Sequence, residues 1–239
     1  LFDEMSDASK AIQSCAYQVI LDRAIGSVKL PPGWWPVAAG NRRADKAAAQ
    51  QLSTALANRF AHIDVMPDSK SFVNWCNKVG IDPLIPGFLN FRPNLIHNME
   101  GSDLRAFPSP RAWAQVAKVV GQPKSVRFRL VRGIVGEGAA HEFETYMSAL
   151  DLPDLDDIIK NPKKTRIPTE PSSKYALSSM LSREATVSNF KAIGEYTSRE
   201  EFGRDFEVVT FIDAAKRDMA LAETGAYTDF IKRNKDLTL

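Results

Sequence analysis

The sequence contains little cysteine or histidine and no long hydrophobic run. Its 239 residues include two cysteines and three histidines, without the CxxC or Cys/His spacing of a zinc site and with too few cysteines for a disulfide framework. Cys15 and Cys76 fall within apolar helical patterns and indicate buried free thiols, so we expect a cytoplasmic protein. No run of roughly 18 apolar residues occurs, and we expect no membrane partner.

Several catalytic motifs are also missing. Neither GxSxG nor HExxH occurs, and His62, His97 and His141 have no spacing that would gather them on one helix face, so no metal site is expected among them. With 31 Lys and Arg against 29 Asp and Glu, the net charge is only +2. Such a balance gives the chain no overall electrostatic attraction to nucleic acid or membranes. Nucleic acid is therefore not an expected partner.

Two short basic runs, residues 124–132 and 160–166, stand out from this balance. Either could contact a phosphate backbone, although a solvated helix face and a solvated loop are the more common structures for such runs. The hydrophobic content of 44% is sufficient for one large domain or two smaller ones.

The first 66 residues alternate between extended and helical patterns. After the opening LFDE, Ser6 or Asp7 can cap a helix whose apolar positions recur at helical spacing up to Ile20. The next predicted elements are a hairpin at 23–37 around Pro-Pro-Gly, a strand over VAAG at 37–40, a helix at 46–58 and a strand at 60–65. This order predicts an α/β domain with a parallel sheet.

Beyond Pro67 the patterns are helical and are separated by proline and glycine. Predicted helices lie at 68–79, 83–91, 110–121, 124–134, 136–149, 175–185, 190–196, 206–219 and 227–235. Residues 151–173 are rich in proline and charge and predict a linker or an ordered crossing segment. We therefore expect three parts: an α/β part at 1–66, a helical domain at 67–150, and a linker with a helical extension at 151–239.

An acidic pair and an amide are the first candidate functional residues. Asp3 and Glu4 end the first strand, where one carboxylate can hold Mg²⁺ through its water shell and the other can polarise an attacking water. A solvated helix start is the alternative for this pair, since the helix dipole favours acids there. Asn41 follows VAAG and could orient a water, because a buried amide needs a partner; an ordinary turn residue is the alternative.

Two arginines are the other candidates. Arg59 in LSTALANRF lies at the end of a helix, where it can complement the helix C-terminus or reach toward the γ-phosphate bound by a neighbouring subunit. Arg111 in FPSPRAW lies in the first turn of a helix opened by Ser109-Pro110. A cation there opposes the helix dipole, so a bound phosphate would account for it.

Together these motifs resemble a known enzyme family. The order of DE, hairpin, strand-Asn, helix-Arg and SPRAW helix is similar to the Walker B, pre-sensor hairpin, sensor 1, arginine finger and sensor 2 series of AAA+ ATPases. The stretch AAGNRRADKAAAQQLSTALANRFAHIDV resembles phage and bacterial MoxR-like ATPases. The resemblance covers residues 1–150 and implies the C-terminal half of a P-loop AAA+ core with a parallel sheet, followed by an all-helical lid and a helical extension.

The resemblance also implies a role for each matching residue. Glu4 would be the general base, Asn41 would place the water against the γ-phosphate, and Asp3 would bind Mg²⁺ through water. Arg111 would bind nucleotide as sensor 2 and couple its state to the lid. Arg59 would act in trans on the next protomer, which implies a homo-oligomer, usually a hexameric ring. Arg42 and Arg43 could face the same interface, although solvated charge is the simpler interpretation.

One part of the family pattern is missing from the sequence. No GxxxxGK[ST] occurs, so the phosphate-cradling loop, its lysine and its Mg²⁺-binding hydroxyl are absent. The chain opens on Leu1 without a methionine, inside a predicted strand, and we expect a longer protein in which this loop lies upstream. The fragment alone is expected to bind nucleotide poorly.

The predicted function is therefore an ATP-binding, ATP-hydrolysing MoxR-like AAA+ ATPase that uses ATP and Mg²⁺ and remodels an unknown protein client in a chaperone-like manner. Trp34 and Trp35 would line a ring pore and grip the client, or at least one would pack into the core. The alternative is a non-catalytic AAA+ remnant that binds a protein. A nucleic-acid motor is a third possibility.

Overall fold

A computed structural model describes residues 1–41, 52–99 and 105–236. It divides the chain into two compact units, Leu1–Val65 and Met66–Leu239, called unit 1 and unit 2 below. The division into three functional parts stays a prediction.

Unit 1 contains little regular structure. Helix α1 spans Lys10–Leu21, strands β1 (Ala24–Ile25) and β2 (Val28–Lys29) form an antiparallel pair, and helix α2 spans Thr54–Ala57. The cap of α1 is Ser9, whose side chain accepts a hydrogen bond from the backbone N–H of Ile12, and not Ser6 or Asp7 as predicted. Both of those residues lie in the turn that precedes the helix, where they make other contacts.

The predicted parallel sheet is wrong. Within the described residues the only sheet is the two-stranded antiparallel pair, and the segment 37–40 contributes a single isolated bridge, between Ala38 and Phe2. Residues 60–65 form no strand. Ile63 and Val65 are 84% and 83% exposed, so no neighbouring described segment buries the apolar side chains of this alternating pattern. Residues 46–51 of the predicted helix at 46–58 lie outside the described residues, and α2 occupies Thr54–Ala57 of the remainder.

The core of unit 1 is small. Met5, Ala16 and Leu56 are buried together, and partly buried apolar side chains that include Phe2 and Tyr17 pack against them. Helix α1 turns Gln13, Ala16 and Val19 inward. Cys15 therefore lies on the exposed side, and its predicted burial is wrong because the inward-facing row of α1 is offset from it.

Unit 2 is built from helices. They are α3 (Ser69–Val79), α4 (Leu84–Phe91), α5 (Pro110–Val116), α6 (Lys124–Val135), α7 (Glu137–Ala149), α8 (Leu155–Lys160), α9 (Pro171–Glu184), α10 (Phe190–Thr197), α11 (Arg204–Arg217) and α12 (Gly225–Arg233). None of the helices in the described parts of the chain combines the length and the apolar character needed to cross a membrane.

Local capping explains several of these helix ends. Asp68 accepts a hydrogen bond from the backbone N–H of Ser71 at 2.7 Å and starts α3. Hydrogen bonds from the side chain and the backbone of Ser71 hold the pKa of Asp68 below its ordinary value. Gly80 ends the same helix with a φ of 76°, a left-handed conformation that glycine adopts without strain. Ser109 caps α5, with Pro110 at its first position.

Helix α9 joins the two hydrophobic clusters of unit 2. Ala176 belongs to a cluster with Phe88, Trp113 and other residues of α3 to α7, while Leu177 belongs to a second cluster formed mainly by α8 to α12. Small side chains permit this close packing. The buried serines of α9 are Ser172, Ser173, Ser178, Ser179 and Ser182.

Candidate functional site

Backbone pairing brings the acidic pair of unit 1 next to Asn41. Phe2 and Ala38 form a parallel bridge, in which the N–H of Phe2 donates to Val37 O and the N–H of Ala39 donates to Phe2 O, both at 2.8 Å. Because the two segments run in the same direction, the residues that follow them emerge at the same end. Glu4 and Asn41 are those residues.

A tight turn places the Glu4 side chain. The Glu4 φ of 52° is left-handed, a conformation that costs a non-glycine residue about 1–2 kcal/mol. Local bonds hold the turn: the N–H of Glu4 donates to Asp3 Oδ1 at 3.0 Å, and the N–H of Asp7 donates to Glu4 O at 2.9 Å. A strained, supported backbone at a carboxylate is a common feature of functional sites.

The side-chain amide of Asn41 contacts two carboxylates. Its Nδ2 donates to Glu4 Oε2 at 3.2 Å and to Asp7 Oδ2 at 3.4 Å. The backbone N–H of Asn41 donates to Ser6 Oγ at 2.8 Å, and Ser6 is 8% exposed. Glu4 and Asn41, predicted separately from the sequence, are thus in direct contact, and Ser6 and Asp7 join them.

The site is acidic. Among the described residues no Lys or Arg forms an ion pair with Asp3, Glu4 or Asp7, and all three carboxylates are exposed. The described chain also contains no group of three or more acidic, His or Cys side chains arranged to hold a metal ion. A carboxylate of this site would contact a hydrated Mg²⁺ through its water shell, since Mg²⁺ commonly keeps several of its waters.

Arg59 lies against its own unit. Its guanidinium donates a hydrogen bond to Ala55 O and stands 5.3 Å from the centre of the Tyr17 ring. Ala55 is in α2, so this is the helix-end contact that the sequence left open as an alternative. No contact between Arg59 and Glu4 or Asn41 is present in the described parts of the chain.

Arg111 belongs to unit 2. It lies in the first turn of α5, after Ser109, whose Oγ accepts from the N–H of Ala112 at 3.2 Å. Arg111 is exposed, and it makes no ion pair with a described residue. Arg42 and Arg43, for which the sequence left a subunit interface or solvent as alternatives, lie outside the described residues.

Trp34 and Trp35 are on the surface. They are 66% and 78% exposed, so the expectation that at least one packs into the core is wrong. The N–H of Trp34 donates to Pro31 O at 3.3 Å. Gly33, which lies between Pro31 and Trp34 in the chain, has a φ of 86°. This Pro-Pro-Gly turn presents the two indoles to solvent beside Arg23, whose guanidinium lies 5.7 Å from the Trp35 ring centre.

A cavity of about 610 Å³ lies in unit 2, along the crossing segment between α7 and α9. Its polar lining mixes both signs of charge, with Asp154 and Asp157 against Lys164 and Arg166. None of the predicted site residues lines it.

Comparison with known proteins identifies no relative: no family model, curated protein or solved structure matches the chain.

Proposed function

We propose that the chain belongs to a MoxR-like AAA+ ATPase and contributes the water-activating half of its hydrolytic site. The contact between Asn41 Nδ2 and Glu4 Oε2, at 3.2 Å, supports this assignment most directly. It pairs a carboxylate that can accept a proton with an amide that can orient the same water.

Glu4 would act as the general base in ATP hydrolysis. The water oxygen forms a bond to the γ-phosphorus while the bond from that phosphorus to the β–γ bridging oxygen breaks, and one water proton passes to the Glu4 carboxylate. The left-handed turn at Glu4 and its bond from Asn41 fix the carboxylate before the nucleotide arrives. Such positioning is the main contribution that a protein makes to phosphoryl transfer.

Asp3 would hold Mg²⁺ through water. One of its oxygens accepts from the N–H of Glu4, and the other has no described partner, which suits a single water-mediated contact to a hydrated ion. When bound, the ion would neutralise charge on the phosphates. A loop that cradles those phosphates would also be required, and no GxxxxGK[ST] motif occurs within the 239 residues.

The remaining roles concern assembly. Arg59 would serve the nucleotide of the neighbouring protomer in a homo-oligomeric, hexameric ring, and Arg111 would bind nucleotide from the helical unit. Exposed Trp34 and Trp35 would contact a protein client during chaperone-like remodelling.

Free thiols at Cys15 and Cys76 agree with a reducing compartment such as the cytoplasm.

The direct test measures ATP turnover by full-length protein. Glu4→Gln should lower kcat by roughly 100-fold or more, because it removes the proton acceptor, while ATP binding is retained. Asn41→Ala should also lower kcat and retain binding. Asp64→Asn is the matched control, since Asp64 is an exposed carboxylate of the same unit. Normal turnover in both site variants would refute the assignment.

Arg59 is tested by mixing two inactive variants. In a mixed ring, an Arg59→Ala protomer retains its own Glu4 and can receive Arg59 from a Glu4→Gln neighbour, so mixing should restore part of the activity. If Arg59 served its own protomer, mixing would restore none. The same experiment therefore separates a trans role from the helix-end contact seen with Ala55.

The exposed Trp34 and Trp35 support a second candidate function, a non-catalytic AAA+ remnant that binds a protein. Two adjacent, exposed indoles on a turn are suited to a protein interface. This candidate predicts no ATP turnover in the full-length protein, and client binding that is lost in a Trp34→Ala, Trp35→Ala double variant and unchanged by Glu4→Gln.

A further inference from the structure

A closed ring of hydrogen bonds holds Asn41 on two sides. The backbone N–H of Asn41 donates to Ser6 Oγ at 2.8 Å, Ser6 Oγ donates to Asp7 Oδ1 at 3.1 Å, and Asn41 Nδ2 donates to Asp7 Oδ2 at 3.4 Å. The ring thus fixes both the backbone and the side chain of the same residue. No part of the Walker B or sensor 1 pattern assigns a role to Ser6 or Asp7.

Glycine at position 40 makes this ring possible. A Cβ atom on Gly40 would stand 2.7 Å from Ser6 Oγ and 3.0 Å from Ser6 Cβ, closer than such atoms approach. The absence of a side chain lets Ser6 reach the N–H of Asn41. Ser6 is buried in consequence, and a buried hydroxyl needs its hydrogen-bond partners.

The two carboxylates determine which way the amide faces. Ionised Glu4 and Asp7 can only accept hydrogen bonds, so the nitrogen of Asn41 must face both of them. Both amide hydrogens are then used, and Asn41 Oδ1 remains as the acceptor that has no partner among the described residues. A water that donates one hydrogen to Oδ1 can direct the other to Glu4.

From this geometry we infer that Asp7, supported by Ser6, is a positioning residue that holds the Asn41 amide with its oxygen toward the attacking water. The inference rests on the proposed function. Asp7 touches neither nucleotide nor water in this role and acts only through Asn41. Without Asp7 the amide loses one of its two anchors and can rotate, which exposes its nitrogen in place of its oxygen.

The test is a double-mutant cycle on ATP turnover by the full-length protein. Asp7→Ala should lower kcat about tenfold with KM unchanged, since it misplaces a catalytic group and not the nucleotide. In an Asn41→Ala background, Asp7→Ala should have no further effect. Asp7→Asn should restore kcat to within about threefold of wild type, because its amide oxygen can still accept from Asn41 Nδ2.

Each other outcome overturns the inference in a recognisable way. Equal losses from Asp7→Ala with and without Asn41 would show a general structural role. A normal rate for Asp7→Ala, when Glu4→Gln and Asn41→Ala are impaired, would overturn the role of Asp7 alone. Normal rates in all three variants would overturn the proposed function as well. Asp64→Ala serves as the control for removing an exposed acid from unit 1.

Discussion

Gly87 allows α4 to approach α9 closely in unit 2. A Cβ atom on Gly87 of α4 would lie 2.8 Å from the Tyr146 hydroxyl and 3.0 Å from Ala176 Cα. The Ala176 backbone belongs to α9 and cannot yield as a flexible side chain would. Tyr146 is buried, and its hydroxyl has no hydrogen-bond partner among the described residues.

Gly87→Ala should therefore destabilise the protein by about 1–3 kcal/mol through overpacking. Gly133→Ala is the matched control: Gly133 also lies within a helix, α6, but a Cβ atom there would meet nothing within 4 Å. That variant should be more stable by roughly 0.5–1 kcal/mol, because alanine loses less backbone entropy in a helix. Chemical denaturation measures both, and equal effects of the two substitutions would contradict the packing argument.

The burial and close packing of glycine and serine are poorly predicted from sequence. The serines of α9 lack apolar character, and the sequence therefore places the helix start at residue 175, whereas α9 begins at Pro171. Proline is favoured at the first helical position because its missing N–H would be unpaired there anyway. The serines are buried because neighbouring helices approach α9 closely. Helical periodicity carries no information about such an approach.

At the scale of elements, a largely buried ion pair between Arg127 and Glu144 links α6 to α7. Arg127 Nε donates to Glu144 Oε1 at 2.7 Å and Arg127 Nη2 donates to Glu144 Oε2 at 2.9 Å. The two side chains are only 13% and 8% exposed, and the bonds to Glu144 raise the Arg127 pKa above its ordinary value. The guanidinium also donates to Val120 O and Gln122 O, each at 3.2 Å.

Glu144→Gln should destabilise the protein by about 2–4 kcal/mol, because it leaves a largely buried guanidinium without its counter-charge. Glu142→Gln is the control on the same helix. Glu142 pairs with Arg92 at 2.9 Å, but these side chains are 47% and 42% exposed, so its loss should cost at most about 1 kcal/mol. Thermal and urea unfolding of both variants give the comparison, and a larger cost at Glu142 would refute it.

Helices could be predicted at this scale and strands could not. The predicted helices at 83–91 and 124–134 correspond to α4 and α6 within one residue, since caps and apolar spacing are local signals. Strand formation depends on partners elsewhere in the chain. Residues 60–65 alternate correctly but find no partner among the described residues, and the bridge at Ala38 involves one residue pair.

At the scale of the whole molecule, the candidate site was only partly predictable. Motif order assigns Glu4 and Asn41 to one site, and the structure brings their side chains into contact. The sequence predicts Ser6 or Asp7 as a helix cap, because a serine or an acid before an apolar helical pattern favours that role. The contact of Asp7 with Asn41 joins residues 34 positions apart, a distance along the chain over which no local pattern operates.

The two units differ in how much apolar surface they bury. The described hydrophobic cluster of unit 1 has three buried members, Met5, Ala16 and Leu56, besides the buried Val19 and Ala24. Unit 2 contains two large clusters. Large apolar side chains of unit 1, such as Trp35 and Ile63, are also exposed. Since buried apolar area provides most of the stabilisation, local opening should require less free energy in unit 1 than in unit 2.

Brief digestion of the native chain with a nonspecific protease should therefore cut within residues 1–65 first and leave a fragment that begins near Met66. Mass spectrometry identifies the cuts, and digestion in denaturant, which should cut throughout, is the control. The fragment should retain a cooperative thermal transition with a midpoint close to that of the intact chain, because both large clusters lie within it. First cuts inside α9, which joins the two clusters, or inside α11, which belongs to the second, would show that these clusters do not stabilise unit 2 as their burial indicates.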